Sequence, residues 1–365
     1  MDPIPVNDLQ RHNAPILDRI AARAESVLRG GWYILGPAVK EFERSFAAYC
    51  GVKHAIGVAN GTDALELALR ACGVGPGDRV LTVANAGGYS TAAIRLCGAD
   101  PVYADIEPAS MLLDVAEFDR LAQSRELKAV IVTHLYGRMA DLPAILEIAR
   151  RAGLPVIEDC AQAHGARLQG RHAGTWGSIG CFSFYPTKNL GALGDGGALI
   201  TDNDGLAQRL RRLRQYGWSG KYASAELGRN SRLDELQAAI LTEKLSRLDA
   251  WNARRRAIAA RYSEALSELG LTVPAVSGEN YAAHLYVVRT RDRDRMRAAL
   301  TGCGIGTDVH YPVPDHWQES ARGLEWARVQ LPVTEQCAGE VLTLPCFPEL
   351  TDDEAGRVIE AIRGA

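Results

Sequence analysis

At 365 residues and 47% hydrophobic, the chain has an ordinary globular composition and enough length to bury one large and one smaller domain. Its formal net charge of −3 argues against nucleic acid or an anionic membrane as a main partner, so any phosphate must be bound by local groups. The eight cysteines are scattered, with no CxxC pair and no ligand spacing, and read as small buried hydrophobes of a reducing compartment rather than a metal site.

The N-terminal stretch Met1-Asp-Pro-Ile-Pro has neither a basic start nor an apolar run, and no later segment approaches the ~20 apolar residues of a membrane span. A cytoplasmic protein is therefore expected. From about residue 50 to 200, short apolar runs alternate with amphipathic helical patterns, the signature of an α/β fold with a largely parallel sheet covered by helices. The strand windows are Ala55–Ala59, Arg79–Val83, Pro101–Asp105, Ala129–Thr133, Val156–Asp159, Ile179–Ser183 and Gly197–Thr201. Helices fall between them, for example Thr62–Cys72, with Leu65, Leu69 and Cys72 on one face, and Leu142–Ala152. The run Gly73-Val-Gly-Pro-Gly-Asp78 stops the first of these.

A charged helical region follows, Asp204–Arg214 and then Arg232–Leu269, long enough for a helix or broken helix that links two domains. Within it Leu233, Leu236, Ala239, Ile240 and Leu245 are apolar, and Arg254-Arg-Arg256 reads as a solvated outer face. Beyond Leu271 the pattern changes to a strand at His284–Arg289 and helices at Asp294–Leu300 and Asp352–Ile362. The expected division is a large domain over residues 1–245 and a smaller α+β domain over 246–365.

The chemistry concentrates in Ser183-Phe-Tyr-Pro-Thr-Lys188-Asn-Leu-Gly-Ala-Leu-Gly-Asp-Gly-Gly197 and in Glu158-Asp-Cys-Ala-Gln162-Ala-His164 just before it. A lysine beside a strand-end hydroxyl, in a loop where Gly191, Gly194, Gly196 and Gly197 allow close backbone approach, suits an aldehyde cofactor bound as a Schiff base. Asp159 closes the apolar segment Leu154–Asp159, and ligands of open parallel sheets gather at strand C-termini. A carboxylate there can pair with a protonated pyridine nitrogen and make the ring a carbanion sink; a helix cap is its structural alternative. Together these point to pyridoxal phosphate. Gln162 is placed to bond the cofactor's phenolic oxygen, and His164 is either a packed or a functional histidine. Asn60-Gly61-Thr62 opens a helix after a strand, where free N–H groups, a hydroxyl and the helix dipole favour phosphate. No GxGxxG, P-loop or HExxH pattern offers a rival dinucleotide, nucleotide or metal site.

These residues resemble the fold type I pyridoxal phosphate enzymes and, within them, the DegT/StrS-type sugar-nucleotide aminotransferases. The likeness also includes Gly36-Pro-Ala-Val-Lys-Glu-Phe-Glu43, His134-Leu-Tyr-Gly137, Asn230-Ser-Arg-Leu-Asp-Glu-Leu-Gln-Ala-Ala239 and Gly306-Thr-Asp-Val-His-Tyr-Pro312. The resemblance implies Lys188 as Schiff-base lysine and proton shuttle, Asp159 on the pyridine nitrogen, Gln162 on the phenolic oxygen, and Gly61, Thr62 and Ser183 on the phosphate. It further implies that Asn230 reaches the phosphate of the partner subunit, so that the active unit is a homodimer. The segment Asn85-Ala-Gly-Gly-Tyr-Ser-Thr91 departs from the family's usual wording, and Tyr89 is the candidate for the ring that stacks on the cofactor. Tyr33, Tyr185, Arg232, His310 and Tyr311 are the implied sugar-nucleotide contacts.

The implied reaction takes an amino group from L-glutamate, through pyridoxamine phosphate, to a nucleotide-linked keto sugar. The wording of the lysine loop is closer to relatives that aminate C3 of a 3-keto-6-deoxyhexose than to those acting on a 4-keto sugar, the alternative. A pyridoxamine-dependent dehydratase would carry histidine in place of Lys188, and a non-catalytic regulator lacks support in an added DNA-binding segment or a basic excess.

Overall fold

The computed structural model describes residues 2–124, 126–276 and 278–365. Seven strands form one sheet: β1 (His54–Val58), β2 (Arg79–Val83), β3 (Asp100–Ala104), β4 (Ala129–Thr133), β5 (Val156–Asp159), β6 (Ile179–Ser183) and β7 (Gly197–Thr201). Their spatial order is β3-β2-β4-β5-β6-β7-β1. Only β7 runs antiparallel to its neighbours; the other pairs are parallel. Each strand falls within a residue of its expected window. The reason is physical: β4 and β7 are buried along their whole length, and a strand covered on both faces must be an unbroken apolar run.

Helices cover both faces. Phe42, Phe46, Ile145 and Leu241 pack with one face, and Leu65, Leu69, Ile94 and Leu210 with the other. The helix Gly61–Ala71 is almost wholly buried, which fixes its N-terminus against the carboxyl ends of the central strands. A separate core gathers Ile258, Tyr262, Tyr286, Leu342, Leu344, Val358 and Ile362 around the antiparallel pair β8 (Tyr286–Arg289) and β9 (Val341–Leu344). Ile4 joins this core, and its backbone exchanges hydrogen bonds with Gly304 and Gly306 at 2.9 and 2.7 Å, tying the N-terminal segment to the C-terminal part of the chain. No helix among the described residues is long and apolar enough to cross a membrane.

The charged region 232–269 is a broken helix: Glu235–Leu245 and Leu248–Leu266, extended by a 3₁₀ turn at Ser267–Leu269. One expectation there is corrected. Arg255 is not on a solvated face but only 4% exposed. It shares a buried stripe with Asn252, Ala259, Tyr262 and Leu266, spaced three and four residues apart; the last three join the second core, while Asn252 bonds to Asn189 and His164.

Candidate active site

Asp159 and Ser183 are the last residues of β5 and β6, adjacent parallel strands, so the sheet itself sets a carboxylate and a hydroxyl side by side at its carboxyl edge. The chain then turns through the lysine loop. Phe184 N–H donates to Gly196 O at 2.7 Å and Ala192 N–H to Phe184 O at 2.8 Å, which folds the loop back on itself. Side chains from elsewhere pin it: Lys244 Nζ donates to Gly191 O at 2.8 Å, and Leu193 N–H to Gln237 Oε1 at 2.9 Å. Asn189, buried beside the lysine, donates to Asn252 Oδ1 (2.8 Å) and Ala282 O (3.0 Å). Both of its donors are thereby used, so its Oδ1 accepts from Nδ1 of His284 at 3.0 Å; burial pushes that ring well below its ordinary pKa, so it is neutral and its second nitrogen carries no proton.

Lys188 opens on a cavity of about 970 Å³, yet its amine is deep enough that burial pulls its pKa down to about 8, against the opposing charge of Asp159. Burial raises the pKa of Asp159, an effect only partly offset by the Ala161 N–H bonded to its Oδ1 at 3.1 Å and by the Lys188 charge. The pair is thus a desolvated amine facing a desolvated carboxylate.

Opposite them stands the N-terminus of the Gly61–Ala71 helix. Its cap is Asn60, whose Oδ1 accepts from Asp63 N–H at 2.8 Å; the first-turn N–H groups of Gly61 and Thr62 have no intrahelical acceptor. Close approach demands glycine here. A Cβ on Gly61 would lie 2.6 Å from the Ser183 Cβ, and one on Gly197 would lie 2.3 Å from Asn60 O. Gly61, Thr62 and Ser183 consequently line one concave wall of the cavity.

Tyr89, Tyr185, His310 and Tyr311 also line the cavity. The Gly-Gly pair before Tyr89 finds its reason in packing. Gly87 has φ +81, and a Cβ there would meet the Tyr311 ring at 2.9 Å. Tyr89 and Tyr311 meet edge to face with centroids 6.3 Å apart. Gln162 is buried; its Oε1 accepts from Tyr136 N–H at 2.5 Å and its Nε2 donates to the Tyr311 hydroxyl at 3.1 Å. His310 Nδ1 lies 2.8 Å from Thr343 Oγ1, and burial holds the ring below its ordinary pKa. His164 packs against Phe182 and Phe184, and burial and the Lys188 charge push it down to about 3, so it is neutral. Neither of its ring nitrogens makes a hydrogen bond of ordinary geometry among the described residues, although the Ser183 backbone lies near enough to oppose the fall in pKa.

Four residues singled out by resemblance are not among the cavity walls of their own chain: Tyr33, Asn230, Arg232 and Gln162, the last buried one layer behind the wall and bonded to Tyr311, which does line it. Tyr33 and Asn230 are exposed, and the Arg232 guanidinium sits 6.0 Å from the centroid of the Tyr216 ring. Sequence reasoning missed Arg255 and His284, which line the cavity, and Asn189, which fixes His284. His284 stood in plain view at the head of an apolar run that signalled only a strand. His134, Glu158 and Cys160 also cluster, but Glu158 already accepts from His134 Nε2 and from the N–H groups of Gly174, Trp176 and Gly177, so the cluster is a buried hydrogen-bond hub.

A lysine of lowered pKa set against a buried carboxylate, at the carboxyl edge of a mostly parallel seven-stranded sheet, is the arrangement of the fold type I aminotransferases. Fold and site place the molecule in that class. More particularly, the chain belongs to the DegT/DnrJ/EryC1/StrS aminotransferase family, whose model matches residues 16–363. It is 45% identical over 363 residues to a dTDP-3-amino-3,4,6-trideoxy-alpha-D-glucose transaminase of Micromonospora megalomicea subsp. nigra, covering 98% of this chain and 96% of that one. It is 44% identical to a Geobacillus stearothermophilus protein named a pleiotropic regulatory protein, covering 98% and 97%. The crystal structure of S. venezuelae DesV in complex with a ketimine intermediate superposes with a TM-score of 0.96 at 43% identity, covering 100% of this chain and 98% of that one.

Proposed function

We propose that this aminotransferase uses pyridoxal phosphate to move an amino group from L-glutamate to C3 of a dTDP-linked 3-keto-6-deoxyhexose. The observation that carries the reading is the Lys188 amine, at a pKa of about 8, facing the buried Asp159 carboxylate. The C3 position is supported by the near full-length likeness to a transaminase named for a dTDP-3-amino sugar.

The residues fit the cofactor. A Cβ at Gly61 would fill the cradle between the helix N-terminus and Ser183, where a phosphate finds free N–H groups and two hydroxyls. When bound, the cofactor supplies the aldehyde that carries the amino group and the ring that spreads the charge left when a proton departs. Asp159 offers its carboxylate to the ring nitrogen, and Tyr89 its ring face. Gln162 offers an amide whose Nε2 carries a second N–H beyond the one given to Tyr311. Lys188 Nζ takes the proton from the α-carbon of the donor and later delivers one to C3 of the sugar. His164, held neutral, adds no charge to compete with that amine. The regulatory name of one relative does not by itself favour a passive binder, since the chain is equally similar to a named transaminase.

Tyr33, Tyr185, Arg232, His310 and Tyr311 contact the sugar nucleotide in this reading, and Asn230 serves the phosphate of the partner subunit in a homodimer. The exposed Trp32, Tyr33, Tyr216, Tyr222 and Leu227 support such an interface. Eight unpaired cysteines suit the reducing cytoplasm. The test is spectroscopic. L-glutamate should bleach the visible absorption of the holoenzyme, and a dTDP-3-keto-6-deoxyhexose should restore it. A spectrum indifferent to L-glutamate, or restored only by 4-keto sugars, contradicts the reading.

A further inference from the structure

Arg255 is a buried cation without a counter-ion. It is 4% exposed, and among the described residues it makes no ion pair: its bonded acceptors are carbonyls. Nη1 donates to Cys346 O at 2.6 Å and to His284 O at 3.4 Å; Nε donates to none of the described residues. Glu349 acts on it only at longer range, and Oε1 of that carboxylate is already bonded to His12 Nδ1 at 2.9 Å. Burial lowers the Arg255 pKa, but a guanidinium stays protonated at any working pH.

A buried charge is tolerated when a partner compensates it, and here the protein supplies only carbonyl dipoles. Arg255 lines the same cavity as Lys188, so the missing partner can come from what enters there. We propose that Arg255 binds a carboxylate of the amino donor. The planar guanidinium matches a carboxylate with paired N–H bonds; the diphosphate of the sugar nucleotide is the competing anion, and titration with dTDP separates the two. Two substrates must use one cavity in turn, and a carboxylate site at its wall lets the cavity hold an amino acid without narrowing it for the sugar. This inference rests on the glutamate-dependent activity proposed above.

The test measures glutarate, a glutamate analogue without the amine, binding to holoenzyme by calorimetry, with dTDP titrated in parallel. Arg255→Gln should weaken glutarate roughly 10- to 100-fold and leave dTDP affinity unchanged, with Arg255→Lys intermediate. The same variant, loaded with pyridoxamine phosphate, should still pass its amine to the keto sugar. Unchanged glutarate affinity, or a loss confined to dTDP, or equal loss in both half-reactions, overturns the proposal. If Arg255→Gln does not fold, the comparison becomes glutarate against neutral glutaramide on the wild-type holoenzyme; equal affinity then overturns it. Failure of the wild type to react with L-glutamate would instead sink the activity itself, which keeps the two failures apart.

Discussion

Lys188 owes its chemistry to its surroundings. At a pKa of about 8 its amine is neutral in roughly one molecule in ten at pH 7, against about one in 3000 for a solvated lysine. Only the neutral amine attacks an aldehyde. Since burial disfavours the ammonium, capture of pyridoxal phosphate by the apoenzyme should rise about tenfold per pH unit below pH 8 and flatten above it, as followed by stopped-flow absorbance. Asp159 holds the pKa up, so Asp159→Asn should move the bend to lower pH. A rate still climbing at pH 10 contradicts the assignment. Lys188 and Asp159 were legible in the sequence because strand ends and glycine loops announce a ligand edge. Arg255 was not, because three consecutive arginines on a helix signal solvent unless the partner of each face is known.

At the scale of elements, the seven strands of the sheet were legible because burial on both faces writes an apolar run of fixed length between turn residues. What escaped depends on contacts distant in sequence. The helix Tyr89–Leu96 begins at a glycine pair that reads as a turn, and its position is held by Thr91 Oγ1 donating to Asp315 Oδ2 at 2.5 Å, 224 residues away. Strand β9 was missed for a similar reason: Val341–Leu344 follows a helix directly, without an intervening turn, and becomes a strand by pairing with β8. The phosphate wall was visible in the sequence because Asn60-Gly61-Thr62 opens a helix after a strand; what the structure adds is that Asn60, not Thr62, is the cap. In this fold the cap is one residue, and the open donors belong to the next two.

At the scale of the whole molecule, the residues assigned to the site divide into those that line or back one cavity and those, Tyr33, Asn230 and Arg232, that lie outside its walls. The proposed homodimer joins the two sets, and complementation tests it. Lys188→Ala and Asn230→Asp should each impair turnover. If Asn230 serves the partner's site, mixing the two variants under conditions of subunit exchange regenerates one intact site in every mixed dimer, about a quarter of wild-type activity by random pairing. No recovery on mixing contradicts the shared site.

The central claim is transfer of nitrogen from glutamate to sugar carbon 3. Its most direct test supplies ¹⁵N-labelled L-glutamate with a dTDP-3-keto-6-deoxyhexose and locates the label in the product by nuclear magnetic resonance. The expected result is ¹⁵N bonded to C3, with 2-oxoglutarate formed in equal amount. A sugar without label, or label found only at C4 when a 4-keto sugar is supplied instead, would contradict it.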